Sequence, residues 1–311
     1  MKRNCGLPDL SWRGETLSRI LLGTAQLGMD YGIANARGKP DDRKAAAILE
    51  TAWTLGIRCF DTAQAYGDSE AVLGRTLRGM GVSAEARIVS KLSAQMDPAN
   101  LLEVADSIKR TFDHLGVDRL WCMMFHRAAW LDHWDQGLGE LLLEHRRAGR
   151  IQHLGVSLDS PEEAPRCLAH PAMEVLQVAC NAWDRRMPRL RVLETARKNG
   201  QVCCVRSIYL QGLLTLPSEQ VAARLPMARE ASVRWHELAA RHGMSVKEMA
   251  VRFALTLDAP LVVGAESPDQ VRETVALAQL EPLSPEILAD LAEVLDPVLD
   301  DKILTPRCWT S

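Results

Sequence analysis

Eight short apolar runs, each followed by a longer amphipathic stretch, set the tightest limit on how this chain can fold. They are LSRILLGTA (17–25), IRCFDTA (57–63), RIVSKL (87–92), RLWCMMFH (119–126), IQHLGVS (151–157), VLQVACN (175–181), QVCCVRS (201–207) and PLVVGA (260–265). Their apolar residues are nearly continuous instead of alternating with polar ones, the pattern of strands buried on both faces of a parallel sheet. The stretches between them predict helices that stop at glycine: 41–56 at Gly56, 100–116 at Gly116 and 189–200 at Gly200. Ser160, Ser245 and Ser267, each with Glu or Gln three residues on, mark helix starts. No Pro/Gly/Ser-rich linker interrupts the 311 residues. The expectation is one α/β domain over residues 1–311, a closed (β/α)8 TIM barrel. An open doubly wound sheet would carry GxGxxG after its first strand, where this chain has QLGMDYGIANARGKP. That loop is no phosphate-binding P-loop either, because its glycines are one residue too far apart and Pro40 stands where Ser or Thr would hold magnesium.

Charge and composition exclude several function classes. A formal charge of −3 and a pI near 6.3 give no basic field for nucleic acid. No apolar run approaches the roughly 18 residues that a membrane span needs, and the start MKRNCGLPDLSWRGE has no apolar export segment. A cytoplasmic protein is expected. Eight cysteines without a CxxC pair fit buried free thiols in a reducing compartment and offer no metal site.

The strand ends carry the chemistry. In a parallel barrel the C-terminal ends of all strands open onto one face. Asp61 finishes the second run, Lys91 the third and His126 the fourth, while Tyr66 lies just after the second. A tyrosine is a poor acid or base near neutrality unless a cation stabilises its phenolate, and Lys91 can supply that charge while Asp61 holds the ammonium. A neutral His126 can donate to a carbonyl oxygen beside the tyrosine. Such a site protonates an oxygen while a hydride reaches the carbon, and a nicotinamide is the natural hydride donor.

The segments DTAQAYGDSEAVLG, VSKL, MFHRA, LGVSL, LQVACN and VVGAESPDQVRE resemble successive signatures of the aldo-keto reductase superfamily, in order and over nearly the whole chain. The loop LGTAQLGMDYGIANARGKP and the ending ILTPRCW further resemble the bacterial branch associated with polysaccharide and sugar biosynthesis. The resemblance implies an NAD(P)H-dependent reductase of aldehydes or ketones, with Tyr66 as general acid/base and Asp61, Lys91 and His126 completing a tetrad. It implies that Ser157 and Gln177 bind the nicotinamide carboxamide. Gly23 and Thr24 after the first strand, Arg206 and Ser207 after the seventh, and Gly264, Glu266, Ser267, Gln270 and Glu273 after the eighth complete the expected cofactor contacts. Gln26, Trp130 and Trp183 are expected near the substrate.

Three departures from the family pattern stand out. Leu158 replaces an asparagine, Arg206 an aromatic residue that stacks on the nicotinamide, and Glu266 a Lys or Arg that pairs with the 2′-phosphate of NADPH. A carboxylate at 266 suits a free ribose hydroxyl, whereas Arg272 one turn on can compensate, so NADH and NADPH both stay open. Trp130 and Trp134 can wall the mouth or staple the next helix, and Trp183 and Arg185 are in the same position. A redox-sensing nicotinamide-binding barrel, or a lyase or epimerase that recycles bound NAD, stands beside the reductase.

Overall fold

The computed structural model describes residues 9–35 and 38–309. Ala36 and Arg37 of the first loop, Cys5 and most of the N-terminal segment lie outside the described residues. Two antiparallel strands come first, β1 (Asp9–Trp12) and β2 (Glu15–Ser18). The barrel follows: β3 (Ile20–Gly23), β4 (Cys59–Asp61), β5 (Arg87–Leu92), β6 (Leu120–Phe125), β7 (Ile151–Leu158), β8 (Val175–Ala179), β9 (Val202–Arg206) and β10 (Leu261–Gly264). Neighbouring strands pair in parallel, and β10 returns to β3 with Leu261–Gly264 opposite Ile20–Gly23. Each of the eight runs thus supplies one barrel strand.

The two-residue period of a strand decides what faces the barrel interior. Leu21, Cys59, Val89, Cys122, Met124, Val175, Cys204 and Val262 form an inner apolar cluster. Two residues on from members of that cluster come Asp61, Lys91, His126, Gln177, Arg206 and Gly264. One register therefore places the apolar layer and, directly above it, the polar groups. A second core, between the strands and the surrounding helices, holds Phe60, Phe125, Trp130, Trp183 and Trp235.

Helix signals hold at residue level in most places. Asp41 accepts from Lys44 N at the start of helix Asp42–Thr54, and Gly116 ends helix Leu101–Leu115 in the left-handed region at φ 61°. Ser160 and Glu163 form a reciprocal capping box, and Ser245 and Ser267 accept from Glu248 N and Gln270 N. The helix expected over 189–200 is broken. Arg186–Arg189 and Val192–Lys198 are separate, because Arg191 takes a left-handed conformation (φ 54°) and bonds Glu194 through Nε and Nη2.

The first run also divides. Leu17 and Ser18 end the hairpin, and the barrel begins only at Ile20. Arg13 (φ 50°) and Gly14 (φ 79°) make a two-residue turn with both φ positive, the geometry that matches the twist of a hairpin. This hairpin covers the lower end of the barrel. Trp12 packs 4.8 Å from the His153 ring, and Glu15 accepts from Trp121 Nε1 at 2.9 Å and Gln152 Nε2 at 3.0 Å.

Candidate active site

Lys91 is fully buried, and its ammonium donates to both oxygens of Asp61 (2.8 and 2.7 Å) and to the Thr62 carbonyl (2.9 Å). Burial opposes the charge, but the Asp61 carboxylate and neighbouring Tyr66 outweigh it and raise the lysine above its ordinary range. Gln177 Nε2 donates to Asp61 Oδ1 at 2.7 Å, so one carboxylate organises two side chains from opposite walls. The Lys91 nitrogen lies 5.2 Å from the centroid of the Tyr66 ring, and His126 stands edge-on to the same ring at 5.7 Å. Burial first, then the cations Lys91, Arg206 and Arg127, push His126 down to about 3, which leaves a neutral imidazole at physiological pH. Its Nδ1 is buried and has no hydrogen-bond partner among the described residues.

Side-chain hydroxyls and close backbone packing fix the tyrosine. Thr62 Oγ1 donates to Ser69 Oγ (3.0 Å), Ser69 Oγ to Thr24 Oγ1 (2.7 Å), and Thr24 Oγ1 to the Asp61 carbonyl (2.9 Å). This hydroxyl chain ties the Tyr66 loop to β3 and β4. A Cβ on Gly28 would fall 1.9 Å from the Tyr66 carbonyl oxygen, and one on Gly67 (φ +57°) 2.2 Å from that of Gly28. Both positions demand glycine.

A cavity of about 320 Å³ runs from Asp61, Tyr66, Gln177 and Arg206 to Gly264, Glu266, Gln270 and Glu273. Gly23, Thr24, Gln26 and Ser207 also line it. Ser157 is buried opposite Gln177 in the β7–β8 register, and Ser267 caps its helix; neither is on the wall. The far end meets the N-terminus of helix Pro268–Leu277, whose dipole suits an anion.

A model of the Aldo/keto reductase family matches residues 19–296. The chain belongs to that family. It is an enzyme, an NAD(P)H-dependent oxidoreductase of carbonyl compounds. Among similar proteins, D-threo-aldose 1-dehydrogenase of Pseudomonas sp is 26% identical over 314 residues, covering 87% of this chain and 94% of that one. Aldo-keto reductase str7 of Strobilurus tenacellus is 27% identical over 202 residues, 62% of this chain and 58% of that protein. The glycerol dehydrogenase of Gluconobacter oxydans shares the fold with a TM-score of 0.73 at 23% identity, over 95% of this chain and 98% of that one.

The residues of this aldo/keto reductase fit a nicotinamide dinucleotide. Tyr66 and the Gln177 amide are on the wall at one end of the cavity and a capped helix N-terminus meets it at the other; His126, edge-on to the Tyr66 ring, is not itself a wall residue. Two of the expected substrate residues lie elsewhere. Trp130 (3% exposed) turns back onto Phe125, 5.8 Å between centroids, and Trp183 (2% exposed) is in the outer core. The short 3-10 segment Ala128–Gln136 folds the first of them inward, so it staples instead of walling the mouth. Arg185 is likewise buried and bonded to Asp296 and the Ala182 carbonyl.

Sequence reasoning missed Tyr31 and Lys247 on the cavity wall. Burial and the nearby Tyr66 raise the Tyr31 phenol above its ordinary value. The only sequence signal for it was an aromatic residue between two glycine-containing turns in the first loop. Lys247, inside a capping box, pairs with Glu273 at 2.7 Å. Arg272 pairs with exposed Asp269 and does not line the cavity.

Proposed function

We propose that this reductase converts an aldehyde or ketone of a sugar or sugar-derived metabolite to the alcohol, with Tyr66 as the proton donor and NADH as the preferred cofactor. The bound dinucleotide supplies the hydride to the carbonyl carbon. The Tyr66 hydroxyl gives its proton to the carbonyl oxygen, and the Lys91 ammonium stabilises the phenolate left behind. Asp61 keeps that ammonium charged and aimed. Neutral His126 donates a second hydrogen bond to the oxygen without competing for its proton. The observation that carries this reading is the fully buried Lys91–Asp61 pair beneath a tyrosine and an uncharged histidine.

A hydroxylated substrate is supported by the similarity to proteins named for an aldose and for glycerol. The buried free thiols Cys122 and Cys204 support a cytoplasmic location, and residues 1–311 form one domain on this reading. The test is to mix pure protein with NADH and a panel of aldoses, ketoses and simple aldehydes and follow the loss of absorbance. Turnover with hydroxylated carbonyls is expected. Tightly retained cofactor with no net oxidation by any carbonyl would replace the reductase with internal recycling.

Cofactor choice follows from the far end of the cavity. Glu266 and Glu273 both line that end, with Lys247 paired to Glu273, and two carboxylates there support a preference against a 2′-phosphate. Glu266→Lys should shift relative affinity toward NADPH by about tenfold, read by fluorescence titration with both cofactors. An unchanged ratio would show that residue 266 does not face the ribose.

A further inference from the structure

Most charge along the cavity wall is matched locally. Asp61 is held by Lys91, and Lys247 by Glu273. Arg206 is set differently. Its carboxylate partner, Asp159 at 3.2 Å, is shared with a second cation, Arg307 at 3.3 Å. Its Nη2 also donates to the Leu158 carbonyl (3.0 Å), and its Nη1 to Ser207 Oγ (3.4 Å). The guanidinium is thus fixed by the protein, with these donors turned toward it, and it presents to the cavity a charge more than a set of hydrogen bonds.

Its place in the fold is equally definite. Arg206 ends β9 two residues after inward-facing Cys204, and it shares the catalytic end of the cavity with Asp61, Tyr66 and Gln177. A hydride donor must come within about 3–3.5 Å of a carbonyl carbon whose oxygen touches Tyr66, so the reacting ring lies at this end. The Arg206 charge is felt there, since it helps to keep His126 neutral.

Resting on the function proposed above, we propose that Arg206 is a specificity-determining residue that distinguishes the redox states of the cofactor: its fixed charge disfavours the oxidised, cationic nicotinamide and favours the reduced, neutral one. In the reaction a C–H bond of the reduced ring breaks and its electron pair leaves with the hydrogen. The carbonyl carbon gains that C–H bond, its oxygen takes the Tyr66 proton, and the ring becomes a cation. The positive charge therefore forms beside Arg206 as the carbonyl is reduced. Reduced cofactor is held and oxidised cofactor is expelled.

The test measures binding, not turnover. NADH is titrated into the full-length protein by fluorescence, and NAD+ is measured by displacement of NADH. Wild type should bind NADH at least about tenfold more tightly than NAD+; Arg206→Gln should reduce that ratio by about tenfold, and Arg206→Lys should keep it within about twofold. If Arg206→Gln binds neither form, Arg206→Tyr, flat and uncharged, is measured for the same collapse of the ratio. Equal loss of both affinities with the ratio intact would overturn the inference, as would a wild type that binds both forms equally. A wild type that binds neither would overturn the proposed function itself.

Discussion

The two ends of this barrel are built from similar groups to opposite ends. At the bottom, both ring nitrogens of His153 face carboxylates, Nδ1 with Glu174 at 2.9 Å and Nε2 with Glu15 at 2.7 Å. Those carboxylates are tied in turn to Arg146, Trp121 and Gln152, and Trp12 and Trp121 pack against the imidazole. At the top, Lys91 and Asp61 satisfy each other as fully, yet among the described residues His126 keeps a buried nitrogen unbonded, and Tyr66 stands at the cavity wall. A buried polar network whose members are all satisfied holds a fold together. One that leaves a donor or acceptor waiting gives up stability for a ligand's oxygen. The difference between the ends is in which valences are left open, since histidine, carboxylate and aromatic ring occur at both.

That contrast breaks if activity and stability cannot be separated along it. Tyr66→Phe should lower kcat by about 10³-fold, the mid-range of losing a general acid, with the melting temperature unmoved. A fall in melting temperature of several degrees would make the top structural as well.

Glu174→Gln is the mirror test and should cost about 2 kcal/mol of unfolding free energy in urea at neutral pH, leaving kcat unchanged. Burial alone would raise this carboxyl, but His153 and Arg146 hold it below its usual range. Its contribution is therefore present above about pH 4.5 and is lost as pH falls through the lowered native value. The variant and wild type should converge in acid. Lost activity in the folded variant would connect the two ends.

The smallest effect sharpens the comparison. His126 titrates near 3 in the native state against 6.5 for the free group, so the unfolded chain binds more protons between those values. Wild-type stability should fall as pH drops below 6.5, and His126→Gln should remove about 1 kcal/mol of that fall at pH 5.5. Parallel stability profiles for the two proteins would contradict a neutral buried imidazole.

What was legible in the sequence follows the same physics. Strands covered on both faces write continuous apolar runs, and a charge at the end of such a run is conspicuous, which is why Asp61, Lys91 and His126 could be singled out. The hairpin left a signal too, in the Arg13-Gly14 turn, but its short strands lie on one face of the molecule and are half exposed. Tyr31, in the first loop, and Lys247, in the first turn of helix Val246–Leu255, reach the cavity only because segments distant in sequence meet there, and no local period encodes that meeting. Trp130 and Trp183 failed for another reason: an aromatic residue just past a strand end looks the same whether its loop turns outward or folds back on the core. At Arg191 a left-handed residue cut a helix whose apolar spacing was intact.

The glycines beneath Tyr66 have a practical consequence. With virtual methyl positions 1.9 and 2.2 Å from backbone oxygen, Gly28 and Gly67 leave no clearance at the part that sets the height of the phenol. They act as the datum surfaces of a machined assembly, against which every other dimension is measured. A directed-evolution library for new carbonyls should hold positions 28 and 67 constant and vary Gln26 and Tyr31, which can change shape without moving the reference.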